Sequence, residues 1–580
     1  MSLNAEAVRA ASSAFRKPPD FHPSYGTAGF RADADLLAST VFRCGLLAAA
    51  RALLLGAHTG LMITASHNPV VDNGVKMVDP DGGMMPQSFE PVAAELANCA
   101  NDDDVVAVLR DRVLGAALPA LAASASASPQ QPQHLTVLVG HDTRPSAPQL
   151  LAAALSGVRA LGVRAVSCGL VTTPQLHFLV HAANHGSSRA ADGPAAPQLQ
   201  LYYDTLVGAF LQLSQRPHAE DLNGGAGSGA YGSGTAERKA VVLYVDCANG
   251  VGAQQLGPLV PALRGVGIEL QLRNTGAGGG TLNLGCGADY VQKERMPPSE
   301  FGDVPAGARC CSLDGDADRL VYFSPLAAAA GGGGGGVSLL DGDKVSMLAA
   351  AYVRDLMGQL PEEALRGIRV CCVQTAYANG ASTAYLRDVL QLPAVCTPTG
   401  VKFLHEAAHD ADVGIYFESN GHGTVLFSQE LLKRLRAVDS NAAAKELLLL
   451  ARVINQTVGD AISGILLVEH ILRRKGWGLP EWQALYSDLP SRQVKLKVAD
   501  RAIITTADAE RVCVTPAGLQ DAIAHIVQEF PQGRAFARPS GTEDAVRVYA
   551  EAATQQAADE LARRVAQVVY DLAGGLGSRP

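Results

Sequence analysis

Four short stretches of this chain hold residues that could do chemistry. The first is Ile63-Thr64-Ala65-Ser66-His67-Asn68-Pro69, which runs on through Asp72-Asn73-Gly74 to Lys76. It sets a serine hydroxyl beside an imidazole, with a cation a few residues on. Asn68-Pro69 cannot continue a helix and Asn73-Gly74 is a strong turn former, so the stretch reads as a turn presenting Ser66. Adjacent side chains point apart, which argues against a hydrolase dyad of Ser66 and His67; a nucleophile or a carried group remains. The second is Asp314-Gly315-Asp316-Ala317-Asp318-Arg319, after the apolar Cys310-Cys311-Ser312-Leu313. Three carboxylates at alternate positions repel one another unless a cation lies between them. An EF-hand would need Gly where Arg319 stands and a bidentate Glu where Pro325 stands. Three oxygens on a tight loop, with coordination sites left for water and a phosphate, suit Mg²⁺.

The third stretch, Arg538-Pro539-Ser540-Gly541-Thr542-Glu543-Asp544, offers a guanidinium, two hydroxyls and glycine amides in one turn, and Arg547 returns just after it. A bidentate fork with a nest of N–H donors is what a phosphate dianion requires. The fourth, Glu418-Ser419-Asn420-Gly421-His422-Gly423-Thr424, follows an apolar strand at 413–417. It puts a carboxylate, an amide and an imidazole at the C-terminal end of a strand, where ligands bind in open parallel sheets. Sugars need such mixed donors and acceptors. Thr399-Gly400-Val401-Lys402 is a weaker neighbour of the same kind.

The elements that must position these loops repeat one grammar. A strand at 135–140, the loop 141–146, a helix at 148–161 and a second strand at 163–168 make a β-α-β unit. The pattern returns at 241–245 with 268–272, and at 368–373 with 394–396. Short Val/Ile/Cys-rich strands alternating with helices predict mostly parallel sheets. From about residue 462 the pattern changes. Segments 492–498 and 545–552 alternate as half-exposed strands do, the second with Arg547, Tyr549 and Glu551 on one face. A closing helix over 557–572 gathers Leu561, Val565, Val568, Val569 and Leu572 on one side and stops at Gly574-Gly575. Tracts 122–133, 223–234 and 331–336 read as solvated insertions; the glycine run at 331–336 lacks the Lys-Ser/Thr ending of a P-loop.

The chain has 580 residues, room for three to five domains at about 100–200 residues each. Its net charge of -9 and lack of a basic stripe exclude a nucleic-acid footprint. An anionic substrate must be met by local cations and backbone amides. Eleven cysteines in adjacent pairs or alone, without C-x-x-C, predict buried reduced thiols and a cytoplasmic protein. The longest apolar run, around 45–56, carries Arg51 and is too short to span a bilayer. No membrane partner is expected.

Together the four loops resemble those of the α-D-phosphohexomutase superfamily, in its order: phosphoserine, metal, sugar and phosphate loop. Within it the chain is similar to the members that act on N-acetylglucosamine phosphates, over stretches 63–82, 170–177, 311–322, 373–383, 414–427, 488–501 and 534–551. Asn420 stands where the hexose enzymes have serine, and Ser419 replaces the usual alanine of the acetylglucosamine enzymes. The resemblance implies an α/β fold of four domains: three doubly wound mixed-sheet units and a smaller C-terminal α+β domain around a central cleft. Their expected bounds are 1–205, 206–326, 327–460 and 461–580, one loop in each. It implies interconversion of N-acetylglucosamine 6-phosphate and 1-phosphate, on the route to UDP-N-acetylglucosamine. The carrier is a phosphorylated Ser66, and a sugar 1,6-bisphosphate is intermediate and activator. Asp314, Asp316, Asp318 and the Ser66 phosphate would hold one Mg²⁺. Arg319 would add a positive contact, Lys76 and His67 would serve proton transfer, and Arg31 would touch phosphate. Glu418, Ser419 and Asn420 would hold the sugar; Arg538, Pro539, Ser540, Gly541, Thr542 and Arg547 would hold the other phosphate. A monomer is expected. A glucose or mannose phosphate mutase, or a silent sugar-phosphate-binding protein on the same fold, remain open beside this reading.

Overall fold

The computed structural model describes residues 3–26, 28–115, 135–185, 199–215, 240–327, 335–541 and 544–580. Tracts 122–133 and 223–234, and most of 331–336, lie outside them. The chain forms two compact units, Met1–Leu339 with Leu449–His470, and Leu340–Leu448 with Ile471–Pro580.

Three sheets share one plan. In the first unit Thr59–Ile63, Thr136–His141 and Arg164–Leu170 run parallel, in that order. Asp72–Val78 folds back antiparallel on Thr59–Ile63, and Gly29–Asp33 and Tyr25–Gly26 continue the sheet. The second sheet has Arg309–Leu313, Val241–Asp246 and Ile268–Arg273 parallel, with Leu320–Pro325 folded back on the first of them. In the second unit Val413–Phe417, Val370–Thr375 and Ala394–Thr397 are parallel, and Gly423–Phe427 folds back on Val413–Phe417. The sheets are mixed, as the resemblance implies; the strand pattern alone predicts mostly parallel sheets and misses the fold-back strands. In each, the fold-back turn is a site loop, carrying Ser66, Asp314–Asp318 or Glu418–His422.

The closing part is a three-stranded antiparallel sheet of Ser491–Lys497, Ala545–Glu551 and Arg534–Pro539. Helices Leu519–Val527 and Gln555–Leu572 contribute to its core, which holds Leu496, Val546, Val548, Leu561, Val565 and Val569. Leu572, in the last turn of the helix, is exposed instead of joining that core. The strand Ala545–Glu551 is not half-exposed as its alternation suggested. It lies in the middle of the sheet, and its second face is covered too. Tyr549 packs with Phe536 and Tyr377, and Glu551 accepts hydrogen bonds from the Gly380 amide and Arg534.

Asn73-Gly74 is another correction. Both residues sit inside the strand Asp72–Val78, paired with Ala32 and Arg31. A Cβ on Gly74 would meet the Phe30 and Thr64 carbonyl oxygens at 2.5 and 2.6 Å, so the glycine serves close approach, not a turn. The apolar run at 45–56 belongs to a longer helix, Ala38–Leu55, that is long and apolar enough to cross a bilayer. Here it is core: Arg51 pairs with Asp79 and Arg43 donates to the Ala97 carbonyl at 2.7 Å. All eleven cysteines are free, and all but Cys168 and Cys396 are buried.

Helix Ala38–Leu55 crosses Ala147–Ala160 at two glycines. A Cβ on Gly157 would stand 2.1 Å from the Phe42 carbonyl oxygen, and one on Gly45 would stand 2.4 Å from that of Ala154. The backbones touch there, and the first unit's core closes around the crossing. Gly157→Ala should destabilise the protein by about 1–3 kcal/mol, an overpacking cost, read as a lower urea midpoint at unchanged slope.

Candidate active site

In the first unit two distant loops meet. Ser66 sits at φ 49°, a left-handed conformation that a non-glycine residue keeps only under outside constraint. Arg144, fully buried, supplies that constraint. Its guanidinium donates to four carbonyls of the serine loop: Ser66 at 3.0 Å, Asn68 at 2.9 Å, Pro69 at 2.5 Å and Asp72 at 2.7 Å. Asp142 accepts from Arg144 Nε and from the Thr64 hydroxyl, which in turn accepts the Ser66 amide at 2.9 Å. Asn283 donates to the Ser66 and Asn68 carbonyls from the other side. The loop's carbonyls are thus turned to the interior, and the Ser66 hydroxyl is turned to the acidic loop.

Ser66 Oγ donates to Asp316 Oδ2 at 3.0 Å. The same oxygen accepts from Lys76 Nζ at 2.8 Å and from Thr173 Oγ1 at 2.6 Å. Lys76 also reaches Asp318 Oδ2 at 2.9 Å. All three aspartates are buried, and one oxygen from each lies within 4.8 Å of the others. Burial pushes the Asp314 carboxyl well above the usual range, with Asp318 and Asp316 adding to the push. Burial and Asp318 press Asp316 the same way, but the Lys76 ammonium and the Thr173 hydroxyl win and hold it low. Burial alone would lower Lys76; Asp316 and Asp318 outweigh it and keep the amine charged.

The donor set fits a divalent cation. Asp314 Oδ2 and Asp316 Oδ1 are buried and accept no hydrogen bond among the described residues. Unmet hard oxygens converging on one point are what Mg²⁺ binds. Lys76 offsets part of the repulsion within the trio, and a divalent ion would offset the rest.

Arg319 donates to Asp289 at 2.6 Å and lies 3.8 Å from Asp314 and 4.0 Å from Asp318. Against burial, Arg319 holds the Asp289 carboxyl far below its usual range. His67 is within electrostatic reach of this pair. Arg319 first, then burial, pushes its imidazole down to about 3, so it is neutral at physiological pH. Arg31, exposed at the surface, is within electrostatic reach of Arg319 and the three aspartates.

The second unit holds the other two loops. Glu418 closes a tight turn, its amide donating to the His422 carbonyl at 2.9 Å. Asn420 Oδ1 accepts the His422 amide at 2.9 Å, and its Nδ2 lies 3.4 Å from Glu418 Oε2. Ser419 donates to Asp343 at 3.3 Å, which also accepts the Asn379 amide. A Cβ on Gly342 would stand 1.8 Å from the Glu418 carbonyl oxygen, so only glycine lets helix Gly342–Met357 start against this turn.

Arg538 and Arg547 face each other across adjacent strands, and Lys495 stands opposite Arg547 on the far side. The Ser540 amide donates to the Ala545 carbonyl, closing the turn with Pro539 and Gly541, and Arg501 donates to the Ser540 carbonyl at 3.0 Å. Thr542 lies outside the described residues. Thr399 binds Glu510, which also pairs with Arg538 at 3.1 Å. Sequence reasoning missed Arg144, Asp142, Thr173, Asn283, Asp289, Lys495 and Glu510. Only Asp142 and Arg144 left a signal, an Asp-x-Arg on a loop after a strand; the rest act from 28 or more residues away.

Family models match most of the chain. Residues 341–477 match domain III of phosphoacetylglucosamine mutase AMG1. Residues 45–103 with 115–192 match the alpha/beta/alpha domain I of phosphoglucomutase/phosphomannomutase, and 494–568 match its C-terminal domain. The phosphoacetylglucosamine mutase of Arabidopsis thaliana is 44% identical over 99% of both chains. That of Homo sapiens is 43% identical over 100% of this chain and 99% of its own. The solved Aspergillus fumigatus N-acetylphosphoglucosamine mutase superposes with a TM-score of 0.85 at 39% identity, covering 99% of each chain. The same enzyme is known in complex with GlcNAc-6P and magnesium, TM-score 0.82, covering 99% of this chain and 100% of that one.

The aspartate trio yields a direct test. Asp316→Asn removes one charged oxygen donor and keeps the shape of the side chain. Calorimetric titration should show Mg²⁺ binding weakened by about tenfold or more, the loss expected when ligand charge falls.

Proposed function

We propose a catalytic cycle for this chain, which belongs to the phosphoacetylglucosamine mutase family of the α-D-phosphohexomutase superfamily. It interconverts N-acetylglucosamine 6-phosphate and N-acetylglucosamine 1-phosphate through a phosphorylated Ser66. The observation that carries the reading is the meeting of Ser66 Oγ with Asp316 at 3.0 Å, across 250 residues of sequence.

In the resting enzyme Ser66 carries the phosphoryl group. The bond from phosphorus to Ser66 Oγ breaks as a bond to the sugar's free anomeric oxygen forms, and the hydroxyl proton leaves. The resulting 1,6-bisphosphate reorients, its 6-phosphoryl group returns to Ser66, and the 1-phosphate departs. Mg²⁺ held by Asp314, Asp316, Asp318 and the Ser66 phosphate would neutralise the charge of the moving group. Lys76, kept charged, is placed to give a proton to Ser66 Oγ as it leaves. His67, kept neutral, can take the hydroxyl proton. A weak base is enough, because a loose phosphoryl transfer has little bond formation at its transition state. Arg319 and Arg31 add positive contacts to the phosphoryl group.

Arg538, Pro539, Ser540, Gly541, Thr542 and Arg547 grip the phosphate that is not reacting, while Glu418, Ser419 and Asn420 take the sugar. With Asn420 Oδ1 engaged by the His422 amide and one Nδ2 hydrogen directed at Glu418, the second Nδ2 hydrogen would donate to the 2-acetamido carbonyl. Domains at 1–205, 206–326, 327–460 and 461–580 would each bring one loop. We place the protein in the cytoplasm as a monomer on the route to UDP-N-acetylglucosamine; its eleven free thiols suit a reducing compartment.

Two outcomes test this cycle. Peptide mapping of active protein should find phosphate on Ser66, and Ser66→Ala should lose essentially all turnover. Full activity in that variant would overturn the mechanism. Asn420→Ser keeps a side chain able to form the same turn. It should lower kcat/KM for N-acetylglucosamine 6-phosphate about 10-fold more than for glucose 6-phosphate, since an unpaired buried acetamide costs about 1–3 kcal/mol. Arg547→Ala should lower both alike. Equal losses for Asn420→Ser on both sugars would move specificity elsewhere.

A further inference from the structure

We propose that Glu510 is an internal competitor for the phosphate seat, occupying it until a phosphate arrives and again while the bisphosphate turns over. The proposal rests on the reading of Arg538 as a phosphate ligand. Three cationic residues, Arg538, Arg547 and Lys495, stand directly opposite one another across three neighbouring strands. Glu510 sets a carboxylate against the first of them. Its Oε1 stands 3.1 Å from Arg538 Nε, both side chains being largely buried, at 17% and 12% exposure. Its Oε2 accepts the Thr399 amide at 2.9 Å and the Thr399 hydroxyl. A guanidinium, a backbone N–H and a hydroxyl converging on one pair of oxygens is the donor set that grips a phosphate monoester. The carboxylate holds the place of the phosphate oxygens.

The element that carries it suits a carboxylate that comes and goes. Glu510 lies at the tip of a two-stranded hairpin, Thr505–Ala507 with Val512–Thr515. Asp508, Ala509 and Glu510 are all left-handed, at φ 51°, 53° and 68°. Three such residues in a row store strain that the contacts at the tip must hold, and that is given back when those contacts part. The chemistry of the cycle asks for such a residue. One phosphate must leave the seat so that the other can enter it, and a carboxylate that fills the gap speeds the release. If Glu510 fills the seat in nine molecules of ten, apparent affinity for phosphate is reduced about tenfold.

Calorimetry with N-acetylglucosamine 6-phosphate and with inorganic phosphate decides the matter, on the wild-type full chain, Glu510→Gln, Glu510→Gly and Arg538→Ala. Glycine accepts the left-handed backbone, so that variant keeps the hairpin. Both Glu510 variants should bind both ligands about tenfold more tightly, with a lower KM and a reduced kcat. Equal or weaker binding in both overturns the proposal, since Glu510 would then only orient Arg538. Tighter binding without a fall in kcat overturns its part in the turnover of the bisphosphate. If Arg538→Ala binds as the wild type does, the reading of the phosphate loop itself fails, whatever Glu510 does.

Discussion

Burying three carboxylates on one six-residue loop is the constraint from which the first unit is built. Each would shed its charge in an apolar interior, and their oxygens crowd within 4.8 Å. Lys76 offsets part of that repulsion, reaching in from a strand that precedes the loop by 240 residues, and Thr173 adds a hydroxyl. What remains unmet is the attraction for a divalent ion, so the site's affinity for metal comes from electrostatic crowding that the fold enforces. Arg144 is the complement of this arrangement. By taking four carbonyls of the serine loop, it turns their dipoles away from the acidic centre and leaves the Ser66 hydroxyl facing it.

The three mixed sheets solve one placement problem in the same way. Each puts a chemical loop on the turn where a parallel strand folds back antiparallel. A second loop, at the end of the central strand, then supports it: Arg144 follows Thr136–His141, and Asp246 at the end of Val241–Asp246 accepts from Ser312 at the foot of the aspartate loop. In the third sheet Asn379, after Val370–Thr375, shares Asp343 with Ser419. The chain order differs, since in the first sheet the fold-back pair comes before the central strand and in the other two it comes after. A permuted plan of this kind leaves no repeat in the sequence.

That difference between local and distant order decides what could be read in advance. Strands at 241–245, 413–417 and 545–552 were legible because apolar runs and their punctuation are local. The four chemical loops were legible because each packs its residue types into seven positions or fewer. Asn73-Gly74 misled, since a turn former becomes a strand residue when its neighbours need close backbone approach. Tyr549 and Glu551 misled because a period of two shows only which residues share a face, not whether a second layer covers it. Asp289, Asn283 and Thr173 were silent: an isolated polar residue carries no sign of a partner 30 to more than 200 residues away.

The burial of the cysteines has a consequence for how the protein meets oxidative stress. Packing away from water pushes the thiols of Cys44, Cys286 and Cys310 up to about 12, and those of Cys168 and Cys513 to about 11. The thiolate is the form that peroxides and alkylating agents attack, and at neutral pH it makes up only about one part in ten thousand or less of such a group. Nine of the eleven are also buried, so oxidation of this protein is expected to fall first on Cys168 and Cys396, the two that packing leaves within reach of solvent.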